Sequence, residues 1–198
     1  RHLIHFPDPV VRPGCMNWTA GHSTFAPSAD TERFYLEADA VSLTIKTQSD
    51  RIKIGEPLLM AWEVMNHSKE AVPMTSEIGT NIEYTSIYVT DPNGTSINMP
   101  GFVIECEHSS IKPLEPGKKL AAATNLFWSS EGFAFNRAGK HVVDISIRWT
   151  KSGVAYGLTQ SKEIWVDYPS SDKDNEIAAT MLDAEVGKFV ALGGGAYH

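Results

Sequence analysis

Glu105-Cys106-Glu107-His108 sets four metal-ligating side-chain types in a row. On a strand, Glu105 and Glu107 share one face while Cys106 and His108 share the other. The latter two could supply half of a tetrahedral zinc site. The chain has seven histidines and two cysteines, Cys15 and Cys106, but no CxxC. His2 and His5 stand three apart and do not complete a zinc-type spacing. The expectation is a solvated strand edge around a buried Cys106, with no metal and no cofactor. A Cys15–Cys106 disulfide stays open, because spacing does not test disulfide geometry.

Gly21-His22-Ser23 puts a histidine beside a hydroxyl. A Ser–His pair needs a third orienting group and an oxyanion hole, adjacent residues rarely face each other, and no G-x-S-x-G elbow occurs. The carboxylate groupings Glu32/Glu37/Asp39, Glu77/Glu83 and Glu163/Asp167 would serve glycoside hydrolysis only if two converged across a cleft, ~5–9.5 Å apart. An acidic β domain offers such pairs by composition alone. Asp91, Asn93 and Thr95 alternate oxygen donors as a calcium loop does, yet Pro92 and Gly94 explain the segment as a turn. Gly193–Gly195 follows an apolar helical segment, where a phosphate loop would precede one. No catalytic, cofactor-binding or metal residue is assigned. Trp62 and Trp149 fall on apolar strand faces and are expected in the core. Trp128 and Trp165 stand at strand ends. Tyr84 and Tyr88 share a strand face, which suits either a sugar-stacking platform or, more simply, cross-strand aromatic pairing. Asn17, Asn66 and Asn93 each open a glycosylation triplet, of consequence only in a eukaryotic secretory protein.

The chain that must position these residues has 198 residues, 17 basic and 24 acidic, for a net charge of −7. That length suits one domain with extensions. No apolar run approaches the ~20 residues of a membrane-spanning helix. The acidic balance excludes a general phosphate-binding surface, and with it nucleic acid as the expected partner. The first residue is Arg, and residues 1–14 lack the basic-then-apolar order of a signal peptide. A piece of a larger protein is therefore expected, with an exported or cell-envelope setting favoured.

Residues 1–39 are broken by Pro7, Pro9, Pro13 and Pro27 but carry Phe6, Trp18, Phe25, Phe34 and Tyr35. They read as an irregular, aromatic-rich arm. Period-two alternation begins at Val41, Leu43 and Ile45, and returns at Leu58, Met60, Trp62 and Val64. Residues 82–90 and a short Phe102–Ile104 add strands. A further one carries Leu120, Ala122, Thr124, Leu126 and Trp128 on one face. Val143, Ile145, Ile147 and Trp149 mark the clearest strand, and Ser152-Gly153 turns it back toward Ile164-Trp165-Val166. About seven strands between turn signals is the spacing of an antiparallel β-sandwich. The tail 169–198 changes period. A Ser171 or Asp172 cap, the stripe Ile177, Met181, Leu182, Glu185, Val186, Phe189 and Val190, and a stop at Gly193 predict one α-helix over 172–192. It is expected to dock on its own domain.

Gly55-Glu56-Pro57-Leu58, Trp62-Glu63-Val64 and Asn66-His67-Ser68 resemble the opening strands of bacterial immunoglobulin-like sandwich domains. Leu114-Glu115-Pro116-Gly117-Lys118 and Phe135-Asn136-Arg137-Ala138-Gly139-Lys140-His141-Val142-Val143 resemble their later "L-x-P-G" and "F-x-x-x-G-x-Y-x-V" segments, with His141 in place of Tyr. The resemblance spans residues 40–168. In general type it is similar to the BsuPI-like intracellular proteinase-inhibitor domains and to accessory domains of secreted proteins. It implies an all-β immunoglobulin-like fold and no catalytic residues. The function expected is a non-catalytic interaction or architectural module, facing neighbouring domains or a protein partner. The alternatives are an inhibitor-like module acting through an exposed loop (91–101 or 67–81), a carbohydrate-binding module, or a hydrolase fragment.

Overall fold

A computed structural model describes residues 40–80, 84–99 and 110–191. The expected short strand at 102–104, the arm 1–39, both cysteines and the Gly-rich end lie outside the described residues. The described chain is mostly strand. In order it forms Val41–Thr47 (β1), Arg51–Lys53 (β2), Leu58–Asn66 (β3), Val72–Thr75 (β4), Thr85–Thr90 (β5) and Ser96–Asn98 (β6). Then come Ile111–Leu114 (β7), Lys119–Leu126 (β8), Trp128–Ser129 (β9), Gly132–Phe133 (β10), Gly139–Lys151 (β11) and Val154–Asp167 (β12). Two short helices close it, Asp172–Met181 (α1) and Ala184–Ala191 (α2).

One sheet runs β1-β3-β8 and a larger one β2-β12-β11-β5-β6, while β4-β7 and β9-β10 pair separately. Period two decides what each sheet buries. Val41, Leu43, Leu58, Met60, Trp62 and Val64 point inward from the first sheet. Ile87, Val89, Val143, Ile145, Ile147, Trp149, Ile164 and Val166 do so from the second, and all join one apolar cluster. Most pairs are antiparallel, but β2 lies parallel to β12. A tight turn in which Thr47 Oγ1 donates to Asp50 (2.6 Å) joins β1 to β2, and the two consecutive strands lie in different sheets.

Turn chemistry fixes the registers. Asp91-Pro92-Asn93-Gly94 closes with Gly94 N–H donating to Asp91 O (3.0 Å), and Gly94 takes the left-handed backbone at φ +84°. Ser152 and Gly153 both have positive φ, 53° and 78°. That is the two-residue hairpin turn whose twist matches long strands, here the paired β11 and β12.

The tail corrects the expectation of one helix. Ser171 caps α1, accepting from Asp174 N–H (3.1 Å). Asp183 then turns its carboxylate back to accept from Glu185 N–H (2.9 Å) and Val186 N–H (3.3 Å). A side chain that caps a new helix start interrupts the old helix. The break rotates the expected stripe out of phase, leaving Ile177 and Phe189 exposed. The fully buried helix positions are small residues, Ala178 and Gly187. A Cβ on Gly55 would meet Ala178 Cα at 3.0 Å, and one on Gly187 would meet Phe133 and Trp128 ring atoms at 2.7 and 2.8 Å. Gly55-Glu56-Pro57 thus serves as a turn, with Gly55 at φ +83°, and as the seat of α1. Gly187→Val is expected to lift α2 off the β9–β10 hairpin, raising apolar-dye binding and red-shifting indole emission from Trp128. An unchanged spectrum would place the contact elsewhere.

Candidate functional site

The chemistry suggested by residue type is largely absorbed by structure. Asp91 Oδ1 accepts from Asn93 N–H and Thr95 N–H (both 2.8 Å), and its other oxygen faces Arg137 Nε at 3.3 Å. Its carboxylate organises its own turn and an ion pair. Glu163 pairs with Lys140 (2.9 Å) and Asp167 with Arg51, so these two carboxylates bridge to different neighbours. Glu83 and the Glu32/Glu37/Asp39 group lie outside the described residues, as do His2, His5, His22, Ser23 and the 105–108 run. Among the described residues, no group of three or more His, Cys, Asp or Glu side chains could hold a metal ion. No helix among them is long and apolar enough to cross a membrane.

Of the glycosylation triplets, Asn66 is fully buried and its amide is committed. It donates to Glu70 O (2.8 Å) and Leu114 O (2.7 Å), and accepts from Ser68 N–H and Oγ–H (2.9 and 2.8 Å). Asn93 stands on an exposed turn. Segment 67–80 is tied inward. Trp62 Nε1–H donates to Ile78 O (2.9 Å), Thr85 Oγ1–H to the same oxygen (3.1 Å), and Trp149 Nε1–H to Pro73 O (3.0 Å). In 91–99, residues 92–96 are exposed, but β6 pairs back onto β5.

The tryptophans separate. Trp62 and Trp149 are core, Trp128 is half-buried beside α2, and Trp165 is 46% exposed. Alternation explains Trp165: Ile164 and Val166 point inward, so the residue between them must face out. In register it lies between Lys140 of β11 and Arg51 of β2. The Arg51 guanidinium sits over the indole, 5.9 Å from its centroid, a cation–π distance. Arg51 also grips Asp167 with two nitrogens, Nη2 at 2.6 Å from Oδ1. That guanidinium holds the Asp167 carboxyl below the usual carboxylate range. Two residues on, Lys53 Nζ donates to Asp174 Oδ2 (2.9 Å) and Ser170 Oγ (3.1 Å), joining the sheet edge to α1. The Lys53 ammonium, then the Ser170 hydroxyl, hold the Asp174 carboxyl far below its ordinary range.

Tyr88 is also exposed on this outer face, opposite Asp144 and Asn98, so no aromatic stands directly across from it. Tyr84 instead packs against the core, so the two tyrosines do not make one exposed platform. By strand spacing Trp165 and Tyr88 lie roughly 17 Å apart, two strands and four residues. The candidate site is the outer face of the five-stranded sheet: a fixed indole rimmed by the ion pairs Arg51–Asp167 and Lys140–Glu163. Residue type did not single out Arg51. Its signal was positional, an Arg one residue before the buried Ile52 on an edge strand.

No protein-family model and no curated protein sequence matches the chain. Among solved structures it is similar to a DUF4785 family protein from Legionella pneumophila (TM-score 0.38, 12% identity, 68% of this chain and 30% of that one). It is similar to a β-glucosidase from Listeria innocua (TM-score 0.34, 17% identity, 65% of this chain and 16% of that one). It is also similar to a CARDB domain from Pyrococcus furiosus (TM-score 0.33, 13% identity, 64% of this chain and 91% of that one). The chain spans less than a third of the length of the first two. Likeness at these TM-scores carries no functional argument.

Proposed function

We propose that residues 40–168 are an immunoglobulin-like sandwich acting as a non-catalytic interaction module of a larger protein, with the outer sheet face around Trp165 as its contact. One observation carries this reading: an indole left 46% exposed, yet held by a guanidinium whose charge Asp167 already balances. Exposing so large an apolar ring gains the isolated fold nothing. Trp and Arg are the side chains that most often anchor protein contacts, because a partner can desolvate their broad faces. The rim is neutral pair by pair, so the partner surface it suits is apolar at its centre and weakly charged.

A photo-crosslinker at Glu163 tests this, with one at Thr44 on the other sheet's outer face as control. A discrete adduct to a neighbouring domain or partner protein is expected from Glu163 alone, and is lost with Trp165→Ala. That substitution should change unfolding stability by about 1 kcal/mol or less. Equal labelling from both positions would remove the assigned face. Turnover of a peptide or glycan substrate that survives repurification would remove the non-catalytic reading.

A further inference from the structure

We propose that His141 is an acid-sensitive latch: protonation of its Nε2 loosens the seal that β11 makes with the 134–138 connection and the 91–95 turn. The side chain is fully buried. It points from β11 into the core, opposite Ile164 in register, with its ring edge-on to Phe135 at 5.5 Å. Its Nδ1 lies 3.3 Å from Gly139 O. A carbonyl only accepts, so Nδ1 carries the proton and Nε2 is a bare lone pair. Among the described residues, Nε2 is the buried side-chain atom with no hydrogen-bond partner.

A lone pair facing apolar groups is tolerable, but an imidazolium N–H there is a buried charge with no acceptor. The groups facing His141 give Nε2 no acceptor. From the 91–95 turn comes Asp91, whose oxygens are held by Asn93 N–H, Thr95 N–H and Arg137. From the connection come Phe135, which is neutral, and Arg137, which is already paired with Asp91. From β12 come Ile164 and, on the opposite sheet face, Glu163 paired to Lys140. The seal itself is tight. Gly139 takes φ +124°, and a Cβ there would meet the Pro92 ring at 2.8 Å. The Phe135 carbonyl also accepts from Gly55 N–H (3.5 Å), so the connection reaches the turn on which α1 is seated.

The direction follows from linkage. Burial holds the His141 imidazole below its ordinary 6.5, against weaker opposing effects of Gly139 and Asp91. Between that value and the folded one, the unfolded chain binds more protons. Stability is therefore full above 6.5 and falls as pH falls, until the folded state also takes up the proton. The ion-paired carboxylates lie in another window. Asp50, Asp167, Asp174 and Glu63 are all lowered, from ordinary values of 3.8 for Asp and 4.5 for Glu. Their contribution is lost only below those values.

Urea unfolding of the full chain and of His141→Phe, from pH 7.5 down to 5, reads the latch. The native unfolding constant should rise by up to about tenfold per pH unit below 6.5, relative to the variant. Other histidines contribute equally to both chains and cancel. On the native chain, nitrogen-detected NMR should show the Nδ1–H tautomer at neutral pH. At pH 5, amide exchange at Ala134 and Gly139, corrected for intrinsic rates, should accelerate ahead of the β3 amides. Parallel pH profiles for the two chains would overturn the proposal. If the variant does not fold, the native chain decides: an imidazole titrating at an ordinary value with no local change in exchange overturns it equally.

Discussion

Trp62→Ala is expected to destabilise the protein by about 3–5 kcal/mol, the cost of removing a large aromatic side chain from a packed core. For a domain of this size that lowers the melting temperature by roughly 6–20 °C. Trp62 is 1% exposed and sits mid-strand in β3, between Ile45 of β1 and Ala122 of β8. Its loss opens a void where the inward side chains of the two sheets meet. It also strips Ile78 O of the indole N–H, leaving only the Thr85 hydroxyl. Trp62→Phe separates the two effects: most of the ring volume remains, and about 1–2 kcal/mol should be lost with the hydrogen bond. Denaturant melts of the three proteins give the values. A Trp62→Ala chain as stable as the native one would show that β3 is turned with its other face to the core.

Asn66→Asp is expected to cost about 2–5 kcal/mol, although it alters the side-chain shape by only one atom. The amide nitrogen of Asn66 donates to Glu70 O and Leu114 O, 48 residues on in the chain, while its oxygen accepts from Ser68. Its backbone also accepts from Gly117 N–H (2.9 Å) and donates to Lys118 O (3.1 Å). One buried residue therefore clasps the end of β3, the 67–70 turn and the β7–β8 connection. An aspartate presents oxygen to two carbonyls and leaves both unsatisfied in the interior, at about 1–3 kcal/mol each. Asn66→Ala loses the same bonds without the repulsion and should be the milder change. Equal, small effects for both would show that water replaces the clasp.

Period-two alternation determined the strands that matter most. Val143, Ile145, Ile147 and Trp149 are inward in β11, and Leu58, Met60, Trp62 and Val64 in β3, because a pleated strand has only two faces. Turn residues fixed their ends by local backbone sterics, as at Asp91–Gly94 and Ser152-Gly153. The helical tail was legible as helix, but its break at Asp183 was not, since a capping carboxylate competes there with an unbroken apolar stripe. Nor was its seat, because Ala178 and Gly187 dock by their smallness and carry no hydrophobic signature.

What only the tertiary structure decided is long-range. It set β2 parallel to β12, brought Arg51 over Trp165, committed the Asn66 amide to carbonyls of two different segments, and sealed His141 among side chains unable to accept its proton. The sequence marked Trp165 as a strand-end aromatic and His141 as a histidine where tyrosine was expected. Whether an aromatic is core or surface, and whether an imidazole is solvated or sealed, depends on which strands lie beside it. That pairing is settled by burying both sheets' apolar faces together, a free energy summed over the whole chain, which no single residue or spacing carries.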